Sequence, residues 1–476
     1  MFYNLPIMPG WEPLRELVAR ELIQAREEGK NPSALEALRL QAEGAGNDEQ
    51  RLESVFEALL ALPVEADFPF NEPSDLETIR ALRPSAKTRR FPVNFADEDA
   101  LFNRMHGAWL ARCVGCALGK PVEGFMGPHH GLNAWQRQKT YLTAISPDEW
   151  PLRDYFPQHS PAEEQTGHTN CAPSTREEIA WMESDDDIRY TVIGQMVLRE
   201  FGRDFSTFDV ARTWMEQLPY RLVCTAETQA YRNFVQRAEF ENWNQMPRPE
   251  MDWGWIAHHQ NPYREWIGAQ IRADSYGYAA PGNPELAAEF AGRDARVSHV
   301  KNGIYGAMFC AAMIGAAFAL DDPREIIEAG LAEIPATSRL YSEMRQVIAL
   351  CEKYNSRFEE FERVFEEIYS LLGHYDPVHT DNNCGLIVAA LLLGGRDFHQ
   401  TITLAVMGGL DSDCNGATVG SIIGAMLGAK ALPPHWTARL HDTLRSQIIG
   451  YDPIPISECA RRSGEIARKV ADTSSD

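Results

Sequence analysis

The chain has 476 residues, enough for one large domain with an appendage, and 44% of them are hydrophobic, which excludes disorder as its main state. Its 45 Lys+Arg against 68 Asp+Glu give a net charge of −23, a balance that disfavours nucleic acid and anionic membrane surfaces as partners but not metal ions. Nine cysteines scattered through so long a chain do not make a disulfide framework. The opening stretch MFYNLPIMPGWEPL lacks the basic start and apolar run of a secretory leader, so a cytoplasmic location is expected.

Residues 1–97 read differently from the rest. Leu14, Leu17, Val18 and Leu22 recur at helical spacing and predict two or three amphipathic helices. From Phe68 to Phe95 the chain carries Pro69, Pro73, Pro84 and Pro92, the signature of an extended connector. This region holds no chemical motif and is read as a helical N-terminal extension packed on a main domain of residues 98–476.

The main domain repeats one unusual pattern. Gly107, Ala111, Gly115 and Gly119 recur every four residues, as do Ala307, Ala311, Gly315 and Ala319, and again Gly416, Gly420, Gly424 and Gly428. On a helix this spacing makes a narrow stripe of tiny side chains. Each interior Gly costs up to about 1 kcal/mol relative to Ala, so such a helix needs close backbone approach to offset it. An all-α core with several helices meeting near one point is expected. Gly303 to Leu320 carries no charge and reaches the lower limit for spanning a bilayer, but its Gly and Ala content and its flanks, Lys301 and Asp321, point to a buried core helix. The pair Cys113 and Cys116 has no second metal-ligand pair and reads as small helix residues. Residues 128–180 and 240–298, rich in Pro, Trp, Asn, Gln and His, are expected to be long irregular loops.

Two acidic clusters stand at expected helix starts: Glu183-Ser184-Asp185-Asp186-Asp187 and Asp411-Ser412-Asp413-Cys414-Asn415. Capping accounts for one Ser and one or two Asp at each. It does not account for three successive Asp, nor for carboxylates leading into a glycine-striped core helix, where an unpaired ion costs several kcal/mol. Oxygen donors at this spacing suit Mg²⁺, Mn²⁺ or Ca²⁺ rather than zinc. Two such clusters have the composition of a two-ion site, with ions about 3.5–4 Å apart.

Taken together, His106-Gly107-Ala108-Trp109-Leu110, the run from Gly115 to Gly124 (GCALGKPVEG), Ser184-Asp185-Asp186 and the stretch from Gly409 to Gly428 resemble, in order, the motifs of the ADP-ribosylglycohydrolase family (dinitrogenase-reductase-activating-glycohydrolase-like). The resemblance covers roughly residues 100–430. It implies a compact all-α fold, a dinuclear Mg²⁺ site, and hydrolysis of an N- or O-glycosidic bond at a ribose anomeric carbon, with an ADP-ribosyl conjugate or smaller glycoside as substrate. By position it implies metal ligation by Ser184, Asp185, Asp186, Asp411 and Asp413, with Glu123 over the site. Cys414 stands where the family usually has Thr, and a neutral thiol is a poor Mg²⁺ ligand; Cys116 stands where Asp is frequent. Glu123 or Asp186 is the expected general base. Arg272 and Asp274, in a Gly/Pro-bounded segment, and His379 and Asp381 are candidate substrate contacts. Trp181, Trp253, Trp255 and Trp266 are candidate stacking faces, and Ser298-His299 a candidate cap. A smaller nucleoside or sugar glycoside is the alternative substrate. A structural, crystallin-like role is the non-enzymatic alternative, and the retained carboxylates argue against it.

Overall fold

The computed structural model describes residues 10–85, 89–239 and 243–472; the first nine residues, on which the absence of a leader was mainly judged, lie outside them. Helices carry the fold. Among the described residues the strands are Thr443–Leu444 and Ile454–Pro455, a single antiparallel pair, so the all-α expectation holds.

Three helices open the chain, Leu14–Glu27, Pro32–Ala45 and Glu49–Ala61. Asn31 and Asp48 cap the second and third by accepting from the backbone N–H of Ala34 and Arg51. Their apolar faces, including Leu17, Val18, Leu35, Leu52 and Phe56, form a cluster that continues onto Tyr263 and Trp266 of the main body. A charged seam runs beside it: the buried Arg264 pairs with Glu21 (2.6 Å) and Glu28 (2.8 Å).

The connector differs from a simple extended linker. It contains the short helix Leu76–Ala81, started by Asp75, and it is strapped down. Glu72 pairs with buried Arg339 (2.9 Å), and the Asn71 N–H donates to the Thr337 carbonyl. The second expected loop region is also corrected. Trp253–His258, Gly268–Ile271, Asp274–Ala279 and Pro284–Ala295 are helices. Asp252 and Asn283 cap two of them, and Pro284 sits where its missing N–H costs nothing.

Two of the three glycine stripes face each other. The helices Glu98–Gly119 and Ser412–Leu427 run antiparallel in backbone contact. A Cβ on Gly424 would lie 2.6 Å from the Gly107 carbonyl carbon, one on Gly420 2.6 Å from that of Ala111, and one on Gly115 2.9 Å from the Ile402 side chain. Gly428 does not extend the stripe; at φ +77° it ends the helix. The third stripe, on Lys301–Ala317, packs elsewhere: a Cβ on Gly315 would meet the Ala280 carbonyl at 3.1 Å and Ala287 at 3.3 Å. Its residues from Asn302 to Ala317 are all buried, and no described helix is long and apolar enough to cross a membrane.

Candidate functional site

The antiparallel pairing decides where the acidic residues meet. The C-terminus of Glu98–Gly119 ends against Ser412 and Asp413, at the N-terminus of the partner helix. The chain then turns through the short 3₁₀ segment Lys120–Phe125, which carries Lys120 and Glu123. The first acidic cluster arrives at the start of Asp186–Phe201, where Asp185 is the N-cap and accepts from the Asp187 N–H (3.1 Å). Both clusters thus open helices, as the sequence predicts, and both lie at positive helix poles that favour negative charge. The turn into the second cluster is strained: Leu410, a non-glycine residue, sits at φ +57° behind Gly409 at φ +75°.

Two overlapping groups of donor atoms result. Cys116, Asp185, Asp187 and Asp413 each bring one atom within 4.8 Å of the others, and so do Asp411, Asp413 and Cys414. Asp413 belongs to both. Burial and the Asp185 charge push the Asp413 carboxyl up to about 7. Burial with the neighbouring Asp413 raises Asp411, and burial with Asp185 raises Asp186. The Asp413 charge, then burial, raises Glu123. Asp185 goes the other way: burial opposes its charge, but Lys120 and Arg189 outweigh it. Lys120 bonds the Asp185 carboxylate and the Ser184 carbonyl (3.2 Å), and Arg189 donates to Ser184 Oγ (2.9 Å).

Whether these residues suit a divalent cation rests on unsatisfied oxygens. Asp187 Oδ2, Asp411 Oδ1 and Asp413 Oδ1 are buried with no hydrogen-bond donor among the described residues. An orphaned buried carboxylate oxygen is costly, and a cation relieves that cost. The set therefore fits a hard cation. Cys414, whose thiol burial holds protonated, is its weak member.

The clusters form part of the wall of a cavity of about 320 Å³, which Glu123, Asp186, Asp411 and Cys414 share with Glu227, Trp266 and Arg20. A more apolar cavity of about 180 Å³, lined by Tyr369, Tyr375 and Leu372, adjoins it through Met126. Of the four candidate tryptophans, Trp266 lines the larger cavity. Trp253 stacks on Phe234, Trp255 on His259, and Trp181 lies under Arg445.

The structure places the other four candidate substrate contacts, Arg272, Asp274, His379 and Asp381, inside the protein. Arg272 pairs with Glu227 and Asp294 and donates to Ser298 Oγ (2.8 Å). Ser298 is therefore an arginine partner and not a cap. Asp274 pairs with the buried Arg112 (2.9 Å), which also holds Asp187 (3.1 Å). His379 caps Thr380–Gly394 by accepting from the Asp381 N–H (3.1 Å), lies stacked on Tyr375, and is kept neutral by burial that lowers it to about 3. Asp381 is buried beneath it, and burial with nearby Glu343 raises its carboxyl.

Sequence reasoning passed over several residues that shape the site. Asp187 stood within the acidic run and Lys120 within the Gly119-Lys120-Pro121 motif, so both were visible but unassigned. Asn383 accepts from the Asp411 N–H (3.2 Å) and from Asn415 (2.8 Å), tying a third helix to the second cluster. Arg112 and Arg20 carry no local signal.

A largely helical body with buried carboxylates gathered at helix starts beside a cavity has the make-up of a hydrolase. The family profile described as ADP-ribosylglycohydrolase matches residues 97–464, and the chain belongs to that family. No curated protein matches the chain. A solved structure described as an ADP-ribosylglycohydrolase-related protein complex is 17% identical, covering 78% of this chain and 99% of its own, with a TM-score of 0.49.

Proposed function

We propose that the protein is a metal-dependent glycohydrolase that cleaves an N- or O-glycosidic bond at the ribose anomeric carbon of an ADP-ribosyl conjugate, with residues 98–476 as the catalytic unit. The observation that carries this is the set of buried, donor-less carboxylate oxygens on Asp187, Asp411 and Asp413 beside a cavity of substrate size. Ser184, Asp185, Asp186, Asp411 and Asp413 would hold the cations, Mg²⁺ first, with Cys414 at the edge of the set. When bound, such ions supply Lewis-acid polarisation and orientation of the ribose hydroxyls.

The chain's own residues do the rest. Glu123 and Asp186 face the cavity; the Asp413 charge, then burial, raises the first carboxyl, and burial with the Asp185 charge raises the second, so each holds a proton more tightly than a free carboxylate. Either accepts the proton of the water that attacks the anomeric carbon as the leaving group departs through an oxocarbenium-like transition state. Lys120 holds Asp185, and Asn383 holds the Asp411 backbone, so the carboxylates keep their places. The Arg112 ion pairs fix Asp187 from behind. A smaller uncharged glycoside is favoured by one observation, the wall's carboxylates Glu123, Asp186, Glu227, Asp376 and Asp411.

Thermal melting with and without Mg²⁺ or Mn²⁺ tests the site. The expected result is a higher melting temperature with metal, lost in the double variant Asp185→Ala, Asp413→Ala. Release of ADP-ribose from modified arginine or serine peptides, abolished by EDTA, tests the activity. An unshifted melt sinks the metal site, and EDTA-resistant hydrolysis sinks the mechanism.

A further inference from the structure

Among the described residues that line the cavity Arg20 is the one cation, and it comes from the Leu14–Glu27 helix of the extension, outside the stretch that the family profile matches. Its guanidinium lies 5.6 Å from the Tyr263 ring centroid and 5.4 Å from that of Trp266, so two aromatic faces hold its plane. Its charged neighbours are loosely placed: Glu12 at 3.3 Å and Asp376 at 3.7 Å, neither in hydrogen-bonding geometry. The Glu12 carboxylate is already engaged by the Tyr263 hydroxyl (2.7 Å) and the Gly10 N–H. Burial raises the Asp376 carboxyl, against the pull of the Val378 N–H and of Arg20 itself.

The arginines around it behave otherwise. Arg264, Arg272 and Arg339 are buried and hydrogen-bonded to carboxylates that belong to the fold. Arg20 keeps about a third of its side chain exposed (34%), and its two ion pairs, at 3.3 and 3.7 Å, are longer than theirs. A planar fork of this kind matches phosphoryl oxygens two at a time. In a wall of carboxylates it is also the group that relieves the repulsion an anionic ligand meets there.

We propose that Arg20 binds the phosphoryl portion of the substrate, so that the N-terminal extension is part of the substrate site and sets selectivity for phosphorylated over uncharged glycosides. This rests on the glycohydrolase reading for the identity of the ligand. The extension's apolar cluster and its Arg264 seam then have a function, which is to hold one helix rigidly at the cavity wall.

The test is calorimetric binding of ADP-ribose and of adenosine to the full chain with Mg²⁺, comparing the unaltered protein with Arg20→Gln and Arg20→Lys. The expected result is a loss of tenfold or more in ADP-ribose affinity for Arg20→Gln, a smaller loss for Arg20→Lys, and unchanged adenosine affinity. Unchanged melting temperatures show that the variants fold, and Arg20→Lys carries the comparison if Arg20→Gln does not. Equal ADP-ribose affinity in all three proteins overturns the proposal, as does a parallel loss for both ligands or no ADP-ribose binding by the unaltered protein. The two readings separate cleanly. If no metal-dependent hydrolysis is found but Arg20→Gln still weakens ADP-ribose selectively, the Arg20 assignment stands and the glycohydrolase reading falls.

Discussion

Gly420 is the sharpest test of the helix contact that builds the site. A Cβ placed there lies 2.6 Å from the carbonyl carbon of Ala111 and 2.9 Å from the Arg112 nitrogen. Non-bonded carbon contacts relax at about 3.5–4 Å, so Gly420→Ala forces the two helices apart by about 1 Å. Overpacking costs about 1–3 kcal/mol, and backbone neighbours cannot rotate away to reduce it. Alanine returns up to about 1 kcal/mol of helix propensity, which leaves a net loss of up to about 2 kcal/mol. Gly464, in Ile456–Asp472, is the internal control, because a Cβ there meets nothing within 4 Å. Gly464→Ala should therefore stabilise by up to about 1 kcal/mol through propensity alone. Urea unfolding of the two variants beside the parent measures both signs. Metal-dependent hydrolysis should fall in Gly420→Ala and not in Gly464→Ala, since only the first separates Asp411 and Asp413 from Lys120 and Glu123. A Gly420→Ala protein as stable as the parent refutes the close-approach argument.

Two further predictions concern buried charge. Arg272→Met strands Glu227 and Asp294 without their partner and should lose about 3–5 kcal/mol in urea unfolding, much of it restored by adding Glu227→Gln and Asp294→Asn; a loss below about 1 kcal/mol contradicts the ion-pair account. Burial, with Glu265, Asp376 and Glu28 nearby, raises Glu27 from 4.5 to about 8 against the pull of Arg339. The folded chain thus holds a proton that the unfolded chain releases earlier, so this contribution is present below pH 4.5 and is lost as pH rises through about 8. Glu27→Gln should remove up to about 4 kcal/mol of that decline between pH 5 and 8, and coincident stability–pH curves for the two proteins would count against it.

The parts of this protein that could be read in sequence are those whose physics is local. The helix start at Asp186 follows from the capping carboxylate of Asp185, whereas Asp411 precedes Ser412–Leu427 without a side-chain capping bond, and the backbone contact follows from glycine at every fourth residue. The family motifs lie within the same segments. What could not be read depends on distant partners. Arg112 holds Asp187 and Asp274, Arg272 holds Glu227 and Asp294, and nothing near either arginine in sequence announces this. Arg272 and Asp274 lie in a Gly/Pro-bounded segment, where a polar residue looks exposed in sequence until the fold buries it. The extension held no recognisable motif because a single arginine on an amphipathic helix looks like any solvated charge. Its position over Tyr263 and Trp266 is a tertiary fact.

The glycine contact has one more consequence. Between the helix that ends at Gly119 and the helix that carries the second acidic cluster, peptide lies against peptide, with no intervening side chain to choose among rotamers. The spacing of Asp411 and Asp413 from Lys120 and Glu123 therefore inherits the tolerance of bond lengths and planar amides, a few tenths of an ångström, whereas a packed aliphatic layer would let it drift. The helix pair works as a gauge block. The protein is free to vary the loops, the connector and the appended helices around it, and with them what it recognises, while the interval that matters to the chemistry stays set.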